Sequence, residues 1–403
     1  MKAFLMLMIA LLFTQGSLAE TNLFNNVTGV GGVSPPPTAH FVYEVDINFT
    51  ALKQAPQSLT LTLPDDIISV VSMVEFHPRS GFIFHDDEED PPGTPAFWPD
   101  PNAEPEDFSY LWRGRNDEYN VVLTVHNGQL LGKIYGLERA YGISLLWNNS
   151  EYWMHDIRFE GFPPMEPSLE AMSQYVSNQS DKEDNTSVSN VRHYDLSSTQ
   201  VSTQNNITVL DMLIMWTEQA RIDAGGDANN PADTQDIDTL INSAVDHANA
   251  ALADSLTNTR VTKFHTARLD NFVLTGDPFD DRDTFKDLSS VKNLRAQVGA
   301  DIVSGIVKNA VSQGDFPVCG IAYVQTHPGC GDPTPVTGCS DGANFDGFAY
   351  NLVAQNCAIF DDTFTHELGH LLGGNHARSQ SPPQFPYQGY DGDVINNGYP
   401  DPF

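Results

Sequence analysis

Residues 366–376 read His366-Glu367-Leu368-Gly369-His370-Leu371-Leu372-Gly373-Gly374-Asn375-His376, and no other stretch restricts the local fold as tightly. On an α-helix His366 and His370 are four residues apart, so they lie within about 40° of each other on one face. Two imidazoles placed this way can meet one ion at the ~2.0–2.1 Å of a Zn–N bond. Glu367 projects beside the first of them, within reach of an attacking water. Gly373 can take a positive φ, end the helix and turn the chain back. His376 can then supply a third nitrogen. Three protein ligands leave a fourth position open, which marks a catalytic rather than a structural Zn²⁺ site. With the His and Gly frequencies of this chain, five fixed positions recur by chance on the order of 10⁻⁵ to 10⁻⁴ times. The expectation is His366, His370 and His376 as metal ligands and Glu367 as general base. The other nine histidines, among them His247, His265 and His327, carry no ligand spacing.

Composition narrows the setting. Lys and Arg number 20 against 53 Asp and Glu, a formal charge of -33. A nucleic-acid binder needs a basic face to meet phosphate, so that class is excluded, and anionic membrane is disfavoured for the same reason. The hydrophobic fraction of 40% is enough to build a core, and 403 residues fit two to three domains. The acidic run at residues 86–90 lacks the spaced pattern of an EF-hand and reads as an exposed loop, so Ca²⁺ has no support. Met1-Lys2 is a short basic start, residues 3–13 are an unbroken apolar run, and Ser17-Leu18-Ala19 offers small residues to a signal peptidase. Residues 1–19 are therefore expected to be a secretory signal, too short to span a bilayer, which makes the protein extracellular. No later segment is apolar and long enough to span.

The chain divides at a polar stretch. Residues 20–165 read as mainly β. Residues 58–63 alternate with period two, and residues 120–126 and 129–135 flank Asn127-Gly128, a strong hairpin signal. Residues 166–206 are poor in core-forming side chains and read as a linker open to proteolytic nicking. Asn-X-Ser/Thr sequons occur at Asn26, Asn48, Asn148, Asn178, Asn185 and Asn206. From residue 207 strands and helices alternate. Strands are expected at 207–216, 261–274, 300–307, 320–324 and 348–354. Helices are expected at 236–256 and 285–298, the second carrying Leu288, Val291, Leu294 and Val298 on one face. That order implies an α/β domain around a twisted, mainly parallel sheet.

Cys319, Cys330, Cys339 and Cys357 contain no C-x-x-C pair. Disulfides are a better reading than a Cys₄ zinc site, and three connectivities are open.

The run from His366 to His376 is the extended zinc signature of the metzincin metallopeptidases. Residues 207–390 resemble the reprolysin-like (adamalysin-type) catalytic domain in strand and helix order. The resemblance extends to Gly320-Ile321-Ala322-Tyr323, to Thr363-Phe364-Thr365 entering the zinc helix, and to Pro386-Tyr387-Gln388-Gly389-Tyr390 after it. The resemblance implies a secreted zinc endopeptidase acting on protein or peptide substrates. It implies an antiparallel edge strand at Gly320, Ile321, Ala322 and Tyr323 along which an extended peptide lies. It implies a pro-region in the N-terminal part, which includes Trp112-Arg113-Gly114-Arg115. A metzincin-like sheet also implies the pairing Cys319–Cys357, with Cys330–Cys339 closing the loop between them.

Three departures are visible. Ala377 follows the third histidine where reprolysins usually carry Asp. The last methionine is Met215, so nothing after His376 supplies the methionine-containing turn of the family, and with 27 residues left after His376 the chain is expected to be C-terminally truncated. No cysteine precedes Cys319, so no cysteine in the pro-region can cap the zinc. The competing class is a catalytically inactive binding or adhesion module with a structural zinc, which has no need of Glu367.

Overall fold

The computed structural model describes residues 21–30, 38–65, 67–84, 97–137, 139–145, 151–159, 207–308, 318–323, 347–372 and 374. The signal segment, the acidic run, the linker, Cys330, Cys339, Gly373, His376 and the residues after it lie outside the described residues. The chain divides into two compact units, Met1–Ser34 with Phe41–Asp156, and Pro35–His40 with Ile157–Phe403. Among the described residues no helix is long and apolar enough to cross a membrane.

Strands β1 (Phe24–Gly29), β2 (Ala39–Ile47), β3 (Ser58–Leu63), β4 (Ile67–Ser80), β5 (Phe82–Phe84), β6 (Phe97–Pro99), β7 (Ser109–Arg115), β8 (Tyr119–His126), β9 (Gln129–Gly136), β10 (Ala140–Leu145) and β11 (Tyr152–Ile157) precede the polar stretch, with the short helix α1 (Phe49–Leu52). Nine of the strands form one sheet in the order β1-β2-β11-β10-β9-β8-β7-β4-β3, and β5 pairs with β6 apart from it. The pairs from β11 round to β3 are antiparallel, as is β1 with β2. A parallel bridge from Asn22 to Thr60 ties the chain just before β1 to β3 at the far margin. The period-two pattern explains the inside. Leu59, Leu61, Val71, Val121 and Leu123 are all fully buried around Trp112, whose indole Nε1 donates to Pro56 O at 3.2 Å. Gly114 has no room for a side chain, since a Cβ there would lie 2.2 Å from the Trp112 ring. The β8–β9 turn has φ 48° at Asn127 and 76° at Gly128, the positive values such a two-residue hairpin needs.

On the other face the register sets Glu75, Arg113, Val122, Lys133, Gly142 and His155 in one row across β4, β7, β8, β9, β10 and β11. Gly142 places no side chain between Lys133 and His155. Burial and the Lys133 charge push the His155 pKa down to about 4. The folded protein therefore holds His155 neutral where the unfolded chain, at about 6.5, takes up a proton. Stability from this group is complete above about pH 6.5 and falls as the pH drops towards 4. The shift corresponds to roughly 3 kcal/mol, an upper figure because His155 keeps some solvent contact. Denaturant melts of the full chain at pH 7 and pH 4.5 are expected to show this loss, and His155→Leu is expected to flatten the slope.

The second unit contains β12 (Thr208–Trp216), α2 (Glu218–Ala224), α3 (Gln235–Asp254), β13 (Thr259–Arg268), α4 (Pro278–Asp287), α5 (Ser289–Val298), β14 (Ile302–Val307), β15 (Gly320–Ala322), β16 (Tyr350–Ala354) and α6 (Thr363–Leu371). Its sheet runs β13-β12-β14-β16-β15. The first three adjacencies are parallel, and β15 runs antiparallel to β16 at the margin. Among the described residues, the strand pairs from β11 round to β3 in the nine-stranded sheet are antiparallel, whereas this sheet is mainly parallel. Leu213, Val303, Leu352 and Ile321 pack with Phe285 and Val291, from α4 and α5, into one core. Asn249 on α3 mimics a strand: its amide donates to Val261 O at 2.8 Å and accepts from Val261 N at 2.9 Å.

Two expectations need correction. The helix expected at 285–298 is two helices. Leu288 is extended (φ −57°, ψ 126°) and breaks the run, while Asp277 caps Phe279 N at 2.9 Å ahead of Pro278 and starts a helix seven residues earlier than expected. The strand expected at 261–274 ends at Arg268; Asn271 follows in a left-handed turn with φ 60°.

Candidate metal centre and active site

Helix α6 begins after Asp362, a left-handed residue with φ 58°. Phe364, Leu368 and Leu371 bury one side. The i, i+4 spacing does to the histidines what the sequence requires. His366 Nε2 and His370 Nε2 stand 3.0 Å apart, with ring planes at 90°. Two nitrogens on one tetrahedral zinc at ~2.05 Å would be about 3.3 Å apart, so the pair is already near that spacing.

The end of the helix fixes the chemistry of the second histidine. Gly374 N donates to Gly369 O at 2.8 Å, closing the last turn. A Cβ on Gly374 would lie 2.9 Å from the same oxygen, so glycine suits the position. The reversal delivers the Gly374 carbonyl to His370 Nδ1 at 2.9 Å. A carbonyl only accepts, so Nδ1 carries the hydrogen, and a neutral His370 presents the lone pair of Nε2 to a metal. His370 is 4% exposed and His366 half-buried. The donor set is two imidazoles, one pre-oriented by its second nitrogen, and it fits zinc.

Glu367 is fully buried and lies against the edge strand. A Cβ added to Gly320 would lie 2.5 Å from Glu367 Oε1 and 2.5 Å from Thr363 Cγ2. Only glycine lets α6 approach β15 this closely. Cys319, immediately before Gly320, is disulfide-bonded to Cys357 with Cα atoms 5.4 Å apart. That bond ties the start of β15 to the segment between β16 and α6. Asp361 lies near both sulfurs, but disulfide sulfur is not thiolate and offers a metal little, so this trio is no competing centre.

Register fixes which backbone groups of β15 are presented outward. Ala354 N donates to Cys319 O at 2.7 Å, so Cys319 with Ala354 is a hydrogen-bonded pair and Ile321 with Leu352 is the next. The N–H and C=O of Gly320 and Ala322 therefore face away from β16, towards the sheet margin. The Ile321 side chain enters the core on the opposite face, and Tyr323 follows the last residue of the strand. The structure thus brings His366, Glu367, His370 and Gly320 together. The sequence reading missed the Gly374 carbonyl as the group that orients His370, although it placed a reversal at Gly373.

Residues 239–377 match the family model of the reprolysin-like metallopeptidases, family M12B. A peptidyl-Asp metalloendopeptidase of Pseudomonas aeruginosa is 33% identical over 171 residues, 42% of this chain and 26% of that protein. The match therefore spans about a quarter of the relative's length. Among solved structures, metalloproteinase-II from Bacteroides fragilis aligns over 82% of this chain and 86% of its own, with 13% identity and a TM-score of 0.34. A chain from a chaperone–substrate complex aligns over 44% of this chain and 26% of its own, with 16% identity and a TM-score of 0.33. TM-scores this low fix neither fold nor function. The zinc-helix residues His366, Glu367 and His370 fall inside the stretch that is similar to the reprolysin-like metallopeptidases, as does the edge strand.

Proposed function

We propose that the chain is a secreted zinc-dependent endopeptidase, made as a pro-enzyme with residues 20–165 as pro-region and 166–206 as a linker cut on activation. The observation that supports this most is the convergence of the two Nε2 atoms at 3.0 Å beside a buried Glu367. His366, His370 and His376 would hold the metal. Zn²⁺, when bound there, lowers the pKa of a water and polarises a carbonyl. Glu367 takes the proton of the attacking water and passes it to the leaving amine. The peptide lies along β15, starting from the outward backbone of Gly320 and running past Ala322 and Tyr323. The name of the Pseudomonas relative suggests aspartate at the cut site, and we extend that preference to this chain. Cys330 and Cys339 are assigned to the second disulfide.

Metal analysis of the purified protein tests the ligand set. About one zinc per chain is expected for the wild type, and loss of most of it in His370→Ala. Equal zinc in both would remove His370 from the centre.

A further inference from the structure

At the margin where a peptide would pair, one carbonyl is already engaged. Arg282 on α4 lies on the face opposite α6, yet its Nη1 donates to Ala322 O at 3.1 Å. The guanidinium is clamped. Its Cζ sits 3.7 Å from the Tyr323 ring centroid. Its Nε and Nη2 donate to Asp283 Oδ1 at 3.2 and 3.0 Å, and Tyr323 OH donates to the same oxygen. The Arg282 side chain is 6% exposed. A planar fork held on two sides cannot swing away without breaking those contacts. Gly320, two residues earlier, has its backbone facing the same margin beside Glu367.

We propose that Arg282 is a specificity-determining residue: it occupies the outward carbonyl of Ala322 and so ends the backbone ladder between substrate and β15 at Gly320. Edge strands are commonly blunted by a charge placed at the edge; here the blunting sets how far a substrate can pair. Peptide residues beyond Gly320 are then recognised through side chains, and main-chain donors there gain nothing. The inference rests on β15 being the peptide-binding strand.

The test is an ester scan on the full chain. A peptide is chosen from a mapped cut site in a denatured protein. Each non-scissile amide is replaced in turn by an ester, which removes one N–H and adds no bulk. In the wild type one replacement, opposite Gly320, is expected to raise KM about tenfold, the size of one lost hydrogen bond. The replacement two residues further, opposite Ala322, is expected to change KM less than twofold. In Arg282→Met/Asp283→Asn, which removes both charges together and leaves neither buried alone, that second position is expected to become sensitive by about tenfold. Equal sensitivity at both positions in the wild type would overturn the proposal and leave β15 as the binding strand. A second position that stays silent in the double variant would also overturn it. No sensitive position at all would instead overturn the reading of β15, and the proposal with it.

Discussion

Glu367→Ala is expected to lower kcat/KM on peptide substrates by about 10²- to 10⁴-fold, the range of a lost general base, with zinc content unchanged. Glu367 is not one of the proposed metal ligands, so its removal need not strip zinc from His366 and His370. It is also fully buried against Gly320 and Thr363. Truncation to alanine therefore opens a small cavity under β15, and Glu367→Gln is the better isostere. Both variants should be inactive, and only the alanine variant should also lose thermal stability. Cleavage retained in Glu367→Gln with zinc bound would assign the base to another group. Equal inactivity of wild type and variant on every peptide would favour the non-catalytic binding module.

Removing the disulfide is expected to have the largest effect on stability. Cys319 and Cys357 are 38 residues apart in sequence, and a loop of that length restricts the unfolded chain by about 4 kcal/mol on the chain-entropy account. Both cysteines are fully buried in the core shared with Ile321 and Leu352. In the double variant Cys319→Ala/Cys357→Ala, the second unit should melt roughly 8–16 °C lower. Activity should fall before global unfolding, because Gly320 follows Cys319 directly and its alignment with Glu367 depends on the start of β15. Melting within 2 °C of the wild type would show that sheet pairing alone holds the strand.

The sequence was most legible where spacing has one physical solution. Four-residue separation of His366 and His370 allows a shared ion only on a helix, and the structure forms that helix. Asn127-Gly128 allows a tight hairpin because both residues take positive φ, and they do. The strand order from residue 207 was legible because apolar runs of five to ten residues alternate with helical periodicity. Legibility failed where a boundary depends on one residue's backbone. The apolar positions at Phe285, Leu288 and Val291 continue a helical spacing without interruption, and nothing in that spacing announces that Leu288 turns extended. The signals at Asp277-Pro278 were available as a cap and first-turn proline. Apart from the Cys319–Cys357 pairing that the resemblance implied, tertiary contacts were not legible. Arg221 is fully buried, with Glu218 at 2.6 Å and the carbonyls of Asp227 and Asp233 at 2.8 Å, but it resembles any other arginine in the sequence. The same holds for Arg282, whose partner Ala322 is 40 residues away.

The central claim is that this domain cuts peptides only with zinc held by the α6 histidines. The most direct measurement follows digestion of a denatured protein by the full-length chain, before chelation, after chelation, and after zinc is returned. Cleavage is expected to stop in chelator and to recover on adding about one equivalent of Zn²⁺, with no recovery in His366→Ala. Cleavage that continues unchanged in chelator, from a protein shown by metal analysis to be zinc-free, would contradict the account.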